Sequence, residues 1–249
     1  MKRLGIIGVK LGHSFSKQYF EAKFSNENIE GYSYDVFPMP SLDNFREWLN
    51  VNKDITGLSV TIPYKISIIP FLDELDNGAK AIGAVNTIKI INTGGRQILK
   101  GYNTDVYGFS ESLKKYLQPH HRAALVLGTG GASKAVGYAL EKSGIPYQKV
   151  SRFKAGDVLT YNDLNEEIIK INTLLINTTP LGMYPDVIGF PQIPYDAISP
   201  SHLVFDLIYN PPETMLLKKA LAQGAIALNG LEMLHLQAEK AWEIWRDSY

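Results

Sequence analysis

The 249-residue chain contains no cysteine. That excludes disulfides, thiolate metal sites and a cysteine nucleophile, and it suits a reducing compartment. An excess of either charge is lacking too: lysine plus arginine number 25 and aspartate plus glutamate number 25. No global basic field exists to hold nucleic acid or an anionic membrane, so neither is an expected partner. No apolar run reaches a membrane-spanning length. The apolar stretch behind Lys2 and Arg3 covers only Leu4 to Val9 and lacks a small-residue cleavage site, so a secretory signal is not expected. The histidines, including His13, His120, His121, His202 and His235, show no ligand spacing, and no metal is expected. Repeats, low-complexity tracts and charge runs are missing as well. What remains is a cytoplasmic globular chain, long enough for one large domain or two modest ones.

Apolar periodicity orders the elements. Leu4 to Gly8 reads as a buried strand, followed by a helix from about Ser16 that carries Tyr19, Phe20 and Phe24 inward. Tyr32 to Phe37 is a second strand, Ser41 can cap a helix bearing Leu42, Phe45 and Leu49, and Ile55 to Thr61 is a third strand. This βαβαβ order implies a parallel sheet. Asp76 to Ile82 is a short helix, and Ala84 to Ile91 with Gln97 to Tyr102 form a hairpin. A helix from Asp105 leads to a second alternating series. Its strands are Ala123 to Leu127, Tyr147 to Ser151, Thr173 to Ile176, Leu203 to Ile208 and about Ala225 to Leu228. The fold class is therefore α/β, a first unit with a mainly parallel sheet and a doubly wound second unit. The last helix, with Trp242 and Trp245 as core residues, packs back onto the first unit and leaves a cleft for a small ligand between the two. The expected domains are 1–103 with 236–249, and 104–235.

The second unit opens on Leu125-Val126-Leu127-Gly128-Thr129-Gly130-Gly131-Ala132-Ser133, a strand that ends in glycines and begins a helix. Glycines let backbone approach a pyrophosphate, and a helix N-terminus faces its charge, so this stretch is a candidate dinucleotide cradle. Ser133 occupies the place of the third glycine of G-x-G-x-x-G, so a tight structural turn is the competing explanation. After the next strand, Ser151-Arg152-Phe153-Lys154 offers cations and no acid. A carboxylate there would take the ribose hydroxyls of NAD, whereas Arg152 and Lys154 favour the 2′-phosphate of NADP. In the first unit, Ser59-Val60-Thr61-Ile62-Pro63-Tyr64-Lys65 sets hydroxyls and a lysine at a strand's C-terminal end, either as ligand contacts or as an ordinary strand terminus. Asn103, Thr104 or Asp105 can serve as a helix cap.

Taken together, Gly12-His13-Ser14-Phe15-Ser16, Ser59 to Lys65, Gly83-Ala84-Val85-Asn86-Thr87, Gly101 to Asp105, Asn177-Thr178-Thr179-Pro180-Leu181-Gly182-Met183 and Asn229 to Leu234 resemble the motifs of the shikimate dehydrogenase family. They come in that family's order and span almost the whole chain. The resemblance implies a substrate domain joined to a Rossmann NADP-binding domain, and reversible NADPH-dependent reduction of 3-dehydroshikimate to shikimate, on the path to aromatic amino acids. It implies that Lys65 and Asp105 act at the reacting oxygen. Ser14, Ser16, Thr61, Asn86 and Gln237 would hold the substrate carboxylate and ring hydroxyls, with Tyr209 as a further contact. Gly128, Thr129, Gly130, Gly131, Ala132, Ser133, Ser151, Arg152, Lys154, Thr178, Met183, Ile208 and Gly230 would hold NADP, with Gly230 letting the nicotinamide lie against backbone.

Several positions depart from the family's usual pattern: Lys17 replaces a proline, Ser59 an asparagine, and Ser151-Arg152-Phe153 an Asn-Arg-Thr. The last change loosens the hold on the 2′-phosphate while retaining Arg152. The alternatives are a quinate/shikimate dehydrogenase with relaxed cofactor use and a catalytically silent protein that binds dinucleotide or shikimate. As an assembly the chain is expected to be a monomer or a homodimer.

Overall fold

The computed structural model describes every residue except Lys10, His13, Ser14, Gly95, Ser248 and Tyr249. The chain divides into two units, residues 1–104 with 238–249 and residues 105–237.

The first unit holds β1 (Lys2–Gly8), α1 (Phe15–Asn26), β2 (Tyr32–Pro38), α2 (Phe45–Val51), β3 (Ile55–Val60), α3 (Tyr64–Ser67), β4 (Glu74–Leu75), α4 (Asn77–Ile82), β5 (Thr87–Thr93) and β6 (Arg96–Tyr102). Its strands order as β2-β1-β3-β5-β6-β4. Helical crossovers make β2, β1 and β3 parallel, whereas β5 runs antiparallel to β3 and, across the hairpin that reverses the chain, to β6. The sheet is thus mixed. The two-residue strand β4, too short to leave an alternation in sequence, pairs parallel with β6.

One core of this unit gathers Phe45, Leu49, Ile55, Leu58, Ile68 and Leu99. Another gathers Leu4, Phe20, Phe24, Tyr34, Trp242 and Trp245. Both tryptophans are core residues, and the indole N–H of Trp245 donates to the Ile88 carbonyl at 3.0 Å. A side chain at Gly57 would place its Cβ 2.4 Å from the Trp245 ring, so glycine is what admits the indole. The expected Ser41 cap is corrected. Helix α2 starts at Phe45 behind Asn44, which makes no side-chain cap bond, because Phe45 N–H donates to the Leu42 carbonyl and a turn takes up the intervening residues. At α4 the cap is Asp76, whose carboxylate accepts from Ala79 N–H at 2.8 Å.

The second unit holds α5 (Asp105–Lys114), β7 (Ala124–Leu127), α6 (Gly131–Lys142), β8 (Tyr147–Ser151), β9 (Leu159–Thr160), α7 (Glu166–Ile171), β10 (Leu174–Asn177), β11 (Leu203–Asp206), α8 (Met215–Ala222) and β12 (Ile226–Leu228). Helix α9 (Leu231–Arg246) begins in it, and the division between units falls within that helix. Strands order as β12-β11-β10-β7-β8-β9, every pairing parallel. Strands β7, β10 and β11 are buried throughout, with one core on each sheet face, which explains why their sequences are continuous apolar runs. The chain leaves β7 for β8 on one side and returns through β10 on the other. That reversal is the switch point at whose carboxyl ends open α/β sheets bind ligands. Among the described residues no helix is long and apolar enough to cross a membrane.

Candidate active site

In the first unit the candidate residues gather where β3 and β6 end and β5 begins. Thr61 follows β3, and its N–H donates to the Ile7 carbonyl while its own carbonyl accepts from Tyr64 N–H. Lys65, half-buried on α3, has its carbonyl pinned by Val85 N–H at 2.7 Å. The one-turn helix is therefore tied to the segment that leads into Asn86. Asn86 is 4% exposed, and its side chain is gripped by Thr104: Nδ2 donates to Thr104 Oγ1 at 2.9 Å, and Oδ1 accepts from Thr104 N–H at 2.7 Å. Thr87 Oγ1 donates to the same Oδ1, and Asn103 Nδ2 donates to the Ala84 carbonyl. This buried knot fixes Thr104, the residue before Asp105, which is itself only 5% exposed at the start of α5. Ser16 lies in the first turn of α1, a turn without an acidic side chain. Ser14 lies outside the described residues.

In the second unit the glycine stretch is a cradle of backbone. Gly128 has φ +114°, and a Cβ there would lie 2.5 Å from Thr178 Oγ1, so both conformation and space call for glycine. Thr178 donates twice to the Leu127 carbonyl, from N–H at 2.9 Å and from Oγ1 at 2.7 Å, which joins the Asn177 to Met183 loop to the end of β7. Gly130 precedes α6 without a side-chain cap bond, nothing lies within 4 Å of where its Cβ would be, and the first turn of α6 carries no acid. Twelve residues of helix thus end on uncapped N–H groups beside open space, which fits the pyrophosphate of a dinucleotide. Ser133 holds the turn from within. Its side chain is fully buried and its hydroxyl donates inward to the Gly130 carbonyl at 2.7 Å, so it braces the turn.

Arg152 and Lys154 are exposed just beyond β8. The Arg152 guanidinium lies over the Phe153 ring at 5.7 Å, and Lys154 shares its charge with Asp163 at 3.5 Å. Thr129 is exposed, Ser151 Oγ accepts weakly from Phe153 N–H at 3.4 Å, and Met183 is 41% exposed. Ile208 is buried, and its carbonyl accepts from Gly230 N–H at 3.0 Å. A Cβ on Gly230 would lie 2.0 Å from the Leu207 carbonyl oxygen, so close packing of two backbone segments already demands this glycine. Burial raises the pKa of the Tyr209 phenol, which keeps it a neutral hydroxyl. Gln237 Nε2 donates to the Leu234 carbonyl one turn back along α9.

One residue of this region escaped the sequence analysis. Asp206, at the end of β11 and fully buried, accepts from Asn177 Nδ2 at 2.9 Å, Thr214 Oγ1 at 2.6 Å and Ile208 N–H at 3.1 Å. Burial pushes its carboxyl up to about 6, and those three donors hold it from rising further. Asn177 Oδ1 in turn accepts from Thr179 N–H and Oγ1, so Asp206 anchors the loop after β10. The available signal was an acid closing the apolar run Leu203-Val204-Phe205.

Residues 6–88 match the model of the shikimate dehydrogenase substrate-binding domain. A shikimate dehydrogenase (NADP+) of Methanococcus maripaludis is 40% identical, over 98% of this chain and 91% of that protein. Among solved structures, the shikimate 5-dehydrogenase of Thermus thermophilus in complex with NADP(H) and shikimate is 30% identical. It superposes with a TM-score of 0.86 over 99% of this chain and 94% of its own. The quinate dehydrogenase of Corynebacterium glutamicum in complex with NAD is 27% identical, with a TM-score of 0.84 over 98% and 93% of the two chains.

Proposed function

The chain belongs to the shikimate dehydrogenase family, and from that membership we infer that it is an NADP-dependent oxidoreductase interconverting shikimate and 3-dehydroshikimate, a step of aromatic amino-acid biosynthesis. The observation that carries this reading beyond kinship is the uncapped start of α6 beside an open glycine, with Arg152 in place of an acid after β8. Gly128 to Ala132 would hold the pyrophosphate, Arg152 and Lys154 the 2′-phosphate, and Ser151, Thr178, Met183, Ile208 and Gly230 would border the rest. Bound there, NADPH supplies the hydride that reduces the C3 carbonyl.

The remaining work falls to the first unit and to Asp105. We assign to the Lys65 ammonium the proton that the C3 oxygen takes up in reduction, and to neutral Lys65 its removal in oxidation. Asp105 accepts a hydrogen bond from the substrate hydroxyl. Ser14 and Ser16 take the carboxylate, and Thr61, Asn86, Gln237 and Tyr209 the remaining oxygens. Neutral donors suffice for a single carboxylate. We place the protein in the cytoplasm, as a monomer or homodimer, a choice that size-exclusion chromatography decides.

The test is direct. Purified protein mixed with shikimate and NADP+ should generate reduced nicotinamide, followed by its absorbance; no signal with either NADP+ or NAD+ overturns the enzyme. A relaxed enzyme is the second reading, favoured by the sharing of Lys154 with Asp163 and by the exposed Phe153. Such an enzyme would show similar kcat/KM for NADP+ and NAD+, or for shikimate and quinate. A silent binding protein would hold cofactor without turnover, and it has no need of Lys65 and Asp105.

A further inference from the structure

We propose that a cavity of about 730 Å³ in the first unit is a binding site for a small phosphate monoester, separate from the residues assigned to shikimate. It lies at the other end of the sheet from Thr61 and Asn86. Lys53 precedes β3 whereas Thr61 follows it, and Asn92 and Arg96 flank the far turn of the β5–β6 hairpin, which begins just after Asn86. The six residues of extended β3 set the two ends about 20 Å apart. Helix α2 lines the cavity with Arg46, Leu49 and Asn50, its i, i+3, i+4 face. Asp73, also in the lining, is fixed to β6 by two bonds with Leu99: its N–H donates to the Leu99 carbonyl at 2.9 Å, and its Oδ2 accepts from Leu99 N–H at 2.7 Å.

Positive charge and donors are in surplus here. Arg46 and Arg96 both present a guanidinium nitrogen to the same oxygen, Asp73 Oδ1, at 3.1 and 3.8 Å. Each guanidinium carries five N–H donors, more than one shared oxygen can take. Lys53, exposed in the same lining, has no ion-pair partner among the described residues, so three cations meet one carboxylate. Gln97, which faces Asn92 across the hairpin, has a buried Nε2 with no hydrogen-bond partner, a donor that an acceptor in this cavity would satisfy. Two guanidiniums converging on one point suit a ligand whose charge is concentrated in one group. A phosphate monoester carries about 1.5 to 2 negative charges on three terminal oxygens at neutral pH, whereas a carboxylate carries one on two. The cavity exceeds the phosphate itself and falls in the size range of small-molecule sites. Its remaining lining, the amides of Asn50 and Asn92 and the side chain of Leu49, fits a compact hydroxylated carbon portion.

The full-length protein is titrated with ribose 5-phosphate by calorimetry, at low ionic strength because salt screens exposed cations. Wild type should bind with a Kd of about 1 mM or tighter, and ribose should not bind. The double variant Lys53→Ala/Arg96→Ala removes two exposed side chains and keeps the pair of Arg46 with Asp73. It should weaken binding at least about tenfold, as expected for two charge-assisted contacts discounted for exposure. Lys53→Glu, a second exposed change, should weaken it as much through charge reversal, and both variants should keep the thermal midpoint of wild type. Arg152→Ala, in the second unit, should leave the affinity within about twofold. Succinate, whose two charges sit at opposite ends, should bind at least about tenfold more weakly than the monoester. The proposal is overturned by an absence of binding, by equal affinity in wild type and the Lys53 variants, or by ribose or succinate binding as well as the phosphate. Loss of binding in Arg152→Ala alone overturns it too, since the ligand then sits in the second unit.

Discussion

The two units hold their candidate residues by opposite means. In the first, side chains hold side chains: Asn86, Thr87 and Thr104 knot together, and Tyr34 on β2 donates to Ser59 on β3. In the second, backbone does the work, through the left-handed Gly128, the uncapped α6 and the contact of Gly230 with the Leu207 carbonyl. Substrate discrimination needs groups of particular chemistry at particular points, and only side chains supply that variety. A pyrophosphate is common to both nicotinamide cofactors, so a backbone cradle would serve either, and in the proposed reading the choice between them falls to the exposed side chains after β8.

That contrast breaks first at Lys65. Lys65→Ala should lower kcat by about 10²–10⁴-fold with KM for shikimate changed little, since proton transfer matters in the transition state. Steady-state rates measure it, and an unchanged kcat would remove the chemistry from the first unit. Asp206 comes next, as a buried side-chain anchor in the unit whose cradle is backbone. Its carboxyl is raised to about 6 in the folded chain from 3.8, so the folded state binds the proton more tightly than the unfolded. Stability should therefore be greatest below the unfolded value and fall as pH rises through about 6, by on the order of 3 kcal/mol. Urea unfolding of wild type and Asp206→Asn across that range compares slopes, and the variant should lack this fall. Equal slopes would show that Asp206 is not the titrating group. Smallest is the cofactor choice. Arg152→Ala should raise KM for NADP+ about tenfold and leave NAD+ unchanged. Lys154→Ala should do about two- to threefold, because Lys154 is exposed and already paired with Asp163. Equal losses on both cofactors would place these cations outside the 2′-phosphate site.

Long apolar strands were legible because burial on both faces writes itself as an uninterrupted run, as in Ala124 to Leu127 and Leu203 to Phe205. The two-residue strands β4 and β9 were not, since two residues carry no period. Ser41 misled because a cap is recognised by residue type, while the turn from Leu42 to Phe45 decided where α2 starts. Among candidate site residues, motifs announced which positions matter and not what each does. Ser133 and Thr178 were named as cofactor contacts, and their hydroxyls turn out to be engaged by the carbonyls of Gly130 and Leu127. Asp206 and Tyr34 went unread because their meaning lies in partners on other strands, far away in the chain.

The exposure of Phe153, 74% open beside Arg152, gives an experimental handle. The natural chain offers no thiol at all, so Phe153→Cys creates a single reactive position one residue from the guanidinium that would meet the cofactor phosphate. A fluorophore or spin label attached there would report dinucleotide arrival optically or magnetically, without background from any other site and independently of turnover.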